Sequence, residues 1–372
     1  MHTPQTEEEL VEIVRRGKPV HAVGNGTKQH HGPPAAPAAE TVHLWNLNKI
    51  LSYEPGDMVV SVQAGAKLAD LQATLAKERQ WLPLDPPYSD ATVGGILATN
   101  SSGPRRFGYG TARDLLIGER VVHADGTVTK GGAKVVKNVT GYDLHKLHVG
   151  AFGTLGLITE AHFKLRPRPE ASGTVVFPCA SVPEAHELLL KILASKLRPV
   201  ALEAVDRRLR HVVDAPALAI VGVEGSRPVL DRHYREMRDL GRPLGVFEGD
   251  RADPLWTALK KLPEALKDFV RVRIGAKPND LPNVLPSAPL WVRAGSGLAW
   301  ADVDPEDEVA RKVVDWHHKA AKFGGYAIVE SAPFDLAGRE KLPWAIAPDA
   351  LQRALQQSRD PQRILNPGRM AV

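Results

Sequence analysis

Glycine and proline are dealt unevenly along this chain, and that unevenness limits what it can fold into. Up to about residue 170 they fall in dense short clusters between apolar runs, and beyond it they are scattered. Clustered glycines interrupt helices and strands and let backbone approach backbone, or a ligand, closely. The first half therefore reads as short strands and single helices joined by glycine turns, an α+β domain. Arg166-Pro-Arg-Pro-Glu170 closes it, because two prolines can continue neither a ladder nor a helix. A domain over 1–168 is expected to end there.

Within that domain the periodicities place several elements. Thr6-Glu-Glu-Glu9 has the form of a capping box ahead of Leu10, Val11 and Val14, and predicts a helix to about Arg16. Pro19–Val23 and Met58–Val62 read as short strands, and Pro33–Ala39 as a loop. Leu68, Leu71 and Leu75 recur at helical spacing and predict a helix over 67–79. Val121–Val128 reads as a hairpin turning at Asp125-Gly126, and Leu155–Leu165 alternates like a strand. In the second half, Val182–Leu197, Asp231–Leu240 and Pro305–Phe323 predict helices. Ala217–Glu224, Leu290–Ala294 and Tyr326–Val329 predict strands. This alternation suggests an antiparallel sheet covered by helices on one face.

Composition narrows the functions. The chain has 372 residues, enough for two or three domains, and its 43% hydrophobic and 24% charged residues exclude a disordered or fibrous protein. No apolar run approaches the ~18–20 residues that span a bilayer, and the acidic Met1–Glu9 lacks the apolar centre of a signal peptide. A cytoplasmic location is expected, with any membrane contact made through partners. On that ground Asn100-Ser-Ser and Asn138-Val-Thr are chance matches to the glycosylation pattern. A net charge of +5 with no basic block suits a phosphate cofactor or an acidic substrate and does not argue for nucleic acid. The lone Cys179 excludes an internal disulfide, a cluster on this chain's own cysteines and a Cys-based zinc site. Redox chemistry here needs an organic cofactor or a metal-bearing partner.

Three glycine-rich clusters carry the chemistry. Gly24-Asn-Gly-Thr-Lys28 directly follows a predicted strand, where exposed N–H groups can cradle a phosphate. It is not the dinucleotide fingerprint, because the third glycine is missing and no helix clearly follows. Asp85–Gly95 continues through Ile96–Gly110 to Arg113-Asp114, gathering hydroxyls, glycines and three arginines that could wrap an anion. Such a long stretch without function is uncommon in a compact domain. The third is Val135–His145, followed by Gly150-Ala-Phe-Gly-Thr-Leu-Gly156.

In order and spacing these clusters, with Val59–Gln72 and Leu82-Pro-Leu-Asp-Pro-Pro87, resemble the vanillyl-alcohol oxidase family of PCMH-type FAD-binding proteins. That family also covers D-lactate dehydrogenases and glycolate oxidase. The resemblance is dense over about 5–168, diffuse afterwards, and returns at Ile364-Leu-Asn-Pro-Gly-Arg369. It implies a two-part PCMH-type FAD-binding domain, an α+β cap or substrate domain over 169–360, and a tail over 361–372 that returns to the first domain. It implies FAD as the cofactor. Gly24, Asn25, Gly26, Thr27 and Lys28 would line its pyrophosphate; Thr92, Gly94, Gly95, Ser102 and Gly103 would form the second phosphate and ribityl wall. Arg113 and Asp114 would fix that loop, Lys137, Asn138, Gly141 and Asp143 would lie along the flavin, and Gly153, Gly156 and Ile158 would close the adenine side.

The resemblance also implies an FAD-holding subunit of a complex that oxidises a small 2-hydroxy acid, glycolate or D-lactate, beside a second flavoprotein subunit and an iron–sulfur subunit. The His-rich motif of relatives that act alone is missing, which leaves open a non-catalytic or electron-relay subunit. A sugar-nucleotide reductase or alditol oxidase on the same fold is a third reading. Arg271, Arg273 and Arg293, on apolar-flanked segments of the second domain, are candidates to clamp a substrate carboxylate, and Glu330 could face the flavin. No catalytic base is assigned. His317-His318 reads as a solvated helix face, His30-His31 is not read as a covalent tether because the local sequence differs from tethering relatives, and His145 and His148 read as packing or cofactor contacts, with no metal site expected.

Overall fold

The computed structural model describes residues 1–132, 142–265, 267–287, 290–336, 338–345 and 350–369. The chain forms two compact units: Met1–Ser102, Gly110–Arg168 and Ala347–Val372 make the first, Gly103–Tyr109 and Pro169–Ile346 the second. The chain thus enters the second unit briefly at Gly103, well ahead of the Pro-rich boundary, and returns to the first from 347 rather than from 361.

In the first unit an antiparallel sheet runs in the order Ile50–Glu54, Val59–Gln63, Leu157–Lys164, Leu116–Val122, Val128–Gly132. Its last hairpin turns where the sequence places Asp125-Gly126. Asp125 Oδ1 accepts the Thr127 N–H at 2.8 Å, and Gly126 takes φ +76°, a left-handed conformation open to glycine. Helices Leu68–Ala76 and Val93–Thr99 bury Leu71, Leu75, Ile96 and Leu97 with Val60, Val62 and Phe163 of the sheet. A second core joins Leu10 and Val14 of helix Glu7–Arg15 to the parallel pair Val20–Val23 and Glu40–His43, and to Ile364 and Leu365. Each fully buried aliphatic side chain there is worth roughly 1.5–3 kcal/mol, so one core holds the beginning and the end of the chain. Thr6 caps the first helix by accepting the Glu9 N–H at 3.3 Å, while the Glu9 carboxylate accepts from the Gln5 N–H at 2.8 Å. Arg166-Pro167 does pair, for two residues, with Gln80–Trp81. A ladder that short is all edge, where proline is tolerated.

The second unit is built on an eight-stranded antiparallel sheet. Its order is Gly245–Glu248, Ala171–Cys179, Ala217–Gly225, Ala201–Asp206, Leu290–Arg293, Leu298–Val303, Val270–Gly275, Tyr326–Ser331. Helix Val182–Ala194 starts where Ser181 accepts the Glu184 N–H at 3.3 Å, with a proline in its first turn. Phe177 and Leu188 both close on Gly241, which sets this helix on one face of the sheet. Val176 points the other way, into a core with Ile220, Trp291 and Leu255, Leu259 and Leu262 of helix Asp253–Ala265. The helix cover therefore extends to a second face. The helix read from Pro305 starts at Val309, because Asp304 takes the Glu306 N–H on its carboxylate at 3.0 Å and the Asp307 N–H on its carbonyl at 3.0 Å. That turn competes with the helix for the same donors.

Candidate functional site

A concave pocket in the first unit draws its walls from the loop after Val20–Val23, the start of helix Val93–Thr99, the stretch Phe152–Ile158 and the chain end at Asn366 and Arg369. Its first wall leaves the strand Val20–Val23 and turns at Gly24 and Gly26. Gly26 needs its φ of +71°; a Cβ on Gly24 would lie 2.3 Å from Thr92 Oγ1. The N–H groups of Asn25 to Gln29 have no acceptor among the described residues. Lys28, in the same loop, is only 5% exposed, and its Nζ makes no hydrogen bond among the described residues. It lies 5.7 Å from the centroid of the Tyr88 ring. Burial alone pushes its ammonium down to about 8. A buried cation without a counter-charge, among unengaged N–H donors, favours an anionic ligand.

The second wall has similar residue types and a different state. Val93 N–H donates to the Ala66 carbonyl at 2.9 Å, Gly94 N–H to the Ala64 carbonyl at 2.7 Å, and Gly95 N–H to Thr92 Oγ1 at 3.3 Å. These donors are spent inside the protein. Gly94 is glycine because a Cβ would come 2.8 Å from the Ala64 Cβ. Gly153 and Gly156 are equally hemmed in, at 2.3 Å from Asn366 Nδ2 and 2.3 Å from Val121 Cγ1. They line the cavity by packing, together with Ile158.

The end of the chain ties these walls together. Asn366 Oδ1 accepts the Ala22 N–H at 2.6 Å, and its Nδ2 donates to the Phe152 carbonyl at 2.6 Å. Arg369 Nη1 donates to the carbonyls of Gln29 at 3.0 Å and Pro33 at 2.9 Å, and its guanidinium lies 5.2 Å from the Phe152 ring centroid. The sequence reading had Ile364–Arg369 as a returning tail and missed that Asn366 and Arg369 line the cavity. A polar pair spaced by Pro-Gly was the available signal. His21, also missed, bonds Gln29 Oε1 at 2.6 Å, and burial holds its imidazole below the usual value.

The cavity thus gathers Gly24, Asn25, Gly26, Thr27, Lys28, Thr92, Gly94, Gly95, Gly153, Gly156 and Ile158. Ser102, Arg113, Asp114 and Asp143 are not among its lining residues. Asp114 Oδ2 instead accepts the Thr111 N–H at 2.7 Å and its hydroxyl at 2.9 Å. Burial works to raise that carboxyl, but the bonds from Thr111 win and hold it below the usual range. Asp143 pairs with Lys146 at 2.6 Å. Lys137, Asn138 and Gly141 lie outside the described residues. Gly103 groups with the second unit and is not among the lining residues of this cavity. The reason is the segment that follows it: Glu224 accepts from Arg105 Nε at 2.8 Å and from Tyr109 Oη at 2.5 Å, and Gly108 N–H donates to the Val200 carbonyl at 3.1 Å.

The arginines of the second unit differ among themselves. Arg271 is 2% exposed, with Nε on Asp302 Oδ1 at 2.9 Å and Nη2 on the Leu262 carbonyl at 3.4 Å. Arg293 is buried 4.7 Å from both the Trp291 and Trp300 ring centroids, with Nε 3.5 Å from Glu203 Oε1. Both are internal supports in this arrangement. The Arg273 side chain is 34% exposed, and its Nη1 meets Glu330 Oε1 at 3.2 Å. Its Nε has no acceptor among the described residues. Glu330 also accepts from Trp300 Nε1 at 2.7 Å. The histidines are taken up in packing bonds: His30 Nε2 with Tyr88 Oη at 2.8 Å, His148 Nδ1 with Glu119 Oε1 at 2.5 Å, His317 Nδ1 with the Ala327 N–H at 3.3 Å. His145 is buried beside Gly131 and Gly132, and His318 is exposed. The described residues hold no metal-binding group of His, Cys, Asp or Glu, and none of their helices is long and apolar enough to cross a membrane.

Comparison with known proteins agrees with this geometry. Residues 1–132 match the FAD binding domain family. The chain is 29% identical to glycolate oxidase subunit GlcE of Escherichia coli over 98% of its own length and 95% of that protein's. It is 26% identical to glycolate oxidase subunit GlcD of Bacillus subtilis over 95% of this chain and 83% of that one. A D-lactate dehydrogenase of Anaerostipes hadrus is 34% identical over 54% of this chain and 42% of its own. The solved structure of an alkyldihydroxyacetonephosphate synthase shares the fold, with a TM-score of 0.68 at 20% identity over 98% of this chain and 76% of that one. The stretch that matches the FAD binding domain family includes the loop of unengaged donors around Lys28, in a chain related to glycolate oxidase subunits and D-lactate dehydrogenases.

Proposed function

We propose that the first-unit cavity holds FAD with its pyrophosphate on the Gly24–Lys28 loop, and that the chain is the FAD-holding subunit of an enzyme oxidising a 2-hydroxy acid, glycolate or D-lactate, to the 2-oxo acid. Lys28 carries this reading: among the described residues its buried Nζ has no counter-charge, and it sits in a loop whose N–H groups are unengaged. A diphosphate satisfies both at once. Thr92, Gly94, Gly95, Gly153, Gly156 and Ile158 then bound the cofactor by shape, since the N–H groups of Gly94 and Gly95 are already used. Arg113, Asp114 and Asp143 act at most through the loops they pin. Lys137, Asn138 and Gly141 remain candidates on the family pattern alone.

Oxidation removes a hydride from the hydroxyl-bearing carbon and a proton from the hydroxyl. Bound FAD supplies the two-electron acceptor. Among the three arginines, Arg273 is the proposed partner of the substrate carboxylate, because the Arg271 and Arg293 side chains are enclosed while that of Arg273 is part-exposed. Two relatives aligned over nearly the whole chain are named as subunits of glycolate oxidase, which supports a partner-dependent role. With one cysteine in the chain, electrons bound for an iron–sulfur centre must leave through another subunit. The proposed partners are therefore a second flavoprotein subunit and an iron–sulfur subunit.

The test is a visible spectrum of the purified chain, followed by glycolate or D-lactate without oxygen. Bound flavin that bleaches makes this chain the dehydrogenase. Bound flavin that stays yellow assigns the chemistry to the complex. No bound flavin after adding FAD overturns the proposal.

A further inference from the structure

We propose that binding of the cofactor's diphosphate takes up a proton at Lys28, so that the affinity for FAD falls as the pH rises above neutrality. The inference rests on the FAD reading above and adds how that site is regulated. Its basis is what surrounds the Lys28 side chain. Tyr88 presents its ring 5.7 Å from Nζ, and the Tyr88 hydroxyl lies 2.8 Å from His30 Nε2 and 3.5 Å from His31 Nε2. From the end of the chain comes Arg369, a second cation, whose Nη2 is 3.5 Å from the Lys28 carbonyl. From the adjoining strand comes His21, tied to Gln29. These neighbours are aromatic, neutral or positive, and burial is the sole cause acting on the ammonium. Without an anion, the face of the Tyr88 ring is all that favours the charge on Lys28 among the described residues, and burial outweighs it.

The direction follows from linkage. With burial holding the Lys28 ammonium at about 8, part of the population is neutral in mildly alkaline solution. A diphosphate is fully ionised there and restores the reason for charge, so the missing proton must come from solvent. At about pH 8.5 roughly three-quarters of a proton should be taken up per FAD. Between about pH 8 and the ordinary lysine value of ~10.4, the Kd should rise by up to about tenfold per pH unit.

The experiment is calorimetric titration of the full-length, FAD-free chain with FAD at about pH 8.5, in two buffers of different ionisation enthalpy. Wild type and Lys28→Arg are compared, since a guanidinium stays charged throughout and reports any proton exchanged by FAD itself. The expected result is an uptake of about three-quarters of a proton in wild type that disappears in Lys28→Arg. Binding with no net uptake in wild type, or an uptake that survives in Lys28→Arg, overturns the inference and leaves the FAD reading standing. Absence of FAD binding in wild type overturns the FAD reading itself. If the variant does not fold, the wild-type uptake is followed with pH instead: it should grow from about pH 7 to 9, as a lysine held at about 8 requires, and an uptake that shrinks over that range, as a histidine's would, overturns the inference.

Discussion

The buried cations of the two units are held on opposite terms. In the second unit Arg271 shares Asp302 with Arg208, at 2.9 and 2.6 Å, and Arg293 lies beside Glu203. In the first unit Lys28 is just as enclosed and has no carboxylate beside it among the described residues. Burying a charge costs several kcal/mol unless it is paired. A fold that gives Arg271 and Arg293 carboxylates and leaves the Lys28 ammonium without a hydrogen bond among the described residues marks the place where the missing charge arrives with a ligand. Paired arginines make scaffolding, and the unpaired lysine makes a site.

Breaking the pairing in the second unit should have the largest effect. Asp302→Ala strands Arg271, while Arg208 keeps Asp206 at 3.1 Å, and should cost about 3–5 kcal/mol in urea unfolding, with Arg271→Met costing less because it removes the stranded charge. Lys28→Met should act in the opposite sense. It should stabilise the FAD-free protein by roughly 3 kcal/mol near neutral pH, in proportion to the depression of the ammonium to about 8, and weaken FAD binding at least about tenfold. The pH dependence follows the same sign. The unfolded chain keeps a proton on this lysine up to about 10.4 and the folded, FAD-free chain only to about 8, so stability should rise with pH across that window. The rise should be absent in Lys28→Met. Asn366→Ala leaves the Ala22 N–H and the Phe152 carbonyl without their partner and should cost about 1–3 kcal/mol, with a loss of FAD affinity. Gly26→Ala, at φ +71° with only Val23 Cγ1, at 3.9 Å, in contact with the added Cβ, should cost only about 1–2 kcal/mol in thermal unfolding.

What could be read from the sequence, and what could not, follows the same division. The Asp125-Gly126 hairpin, the Leu68–Ala76 helix and the Gly24–Lys28 loop are local, and local residues declare them. Whether a glycine is there for a ligand or for packing is not local. Gly24 and Gly94 look alike in the sequence, but the backbone donors after Gly24 are unengaged, while those at Gly94 and Gly95 end on Ala64 and Thr92. That depends on which strand passes behind the loop. Asn366 and Arg369 act across more than three hundred residues, through a backbone N–H and a carbonyl that carry no residue identity. The Gly103–Tyr109 segment leaves the first unit because of Glu224, more than a hundred residues on. Arg271, Arg273 and Arg293 were equal candidates until their carboxylates were placed.

The most direct measurement is a spectral titration of the purified full-length chain with FAD at neutral pH, wild type beside Lys28→Met. Wild type should bind FAD with a saturable flavin spectrum, and Lys28→Met, though at least as stable without FAD, should bind at least about tenfold more weakly. Equal affinities, or a wild-type chain that takes up no flavin, would contradict the assignment of Lys28 and its loop as the cofactor's anchor.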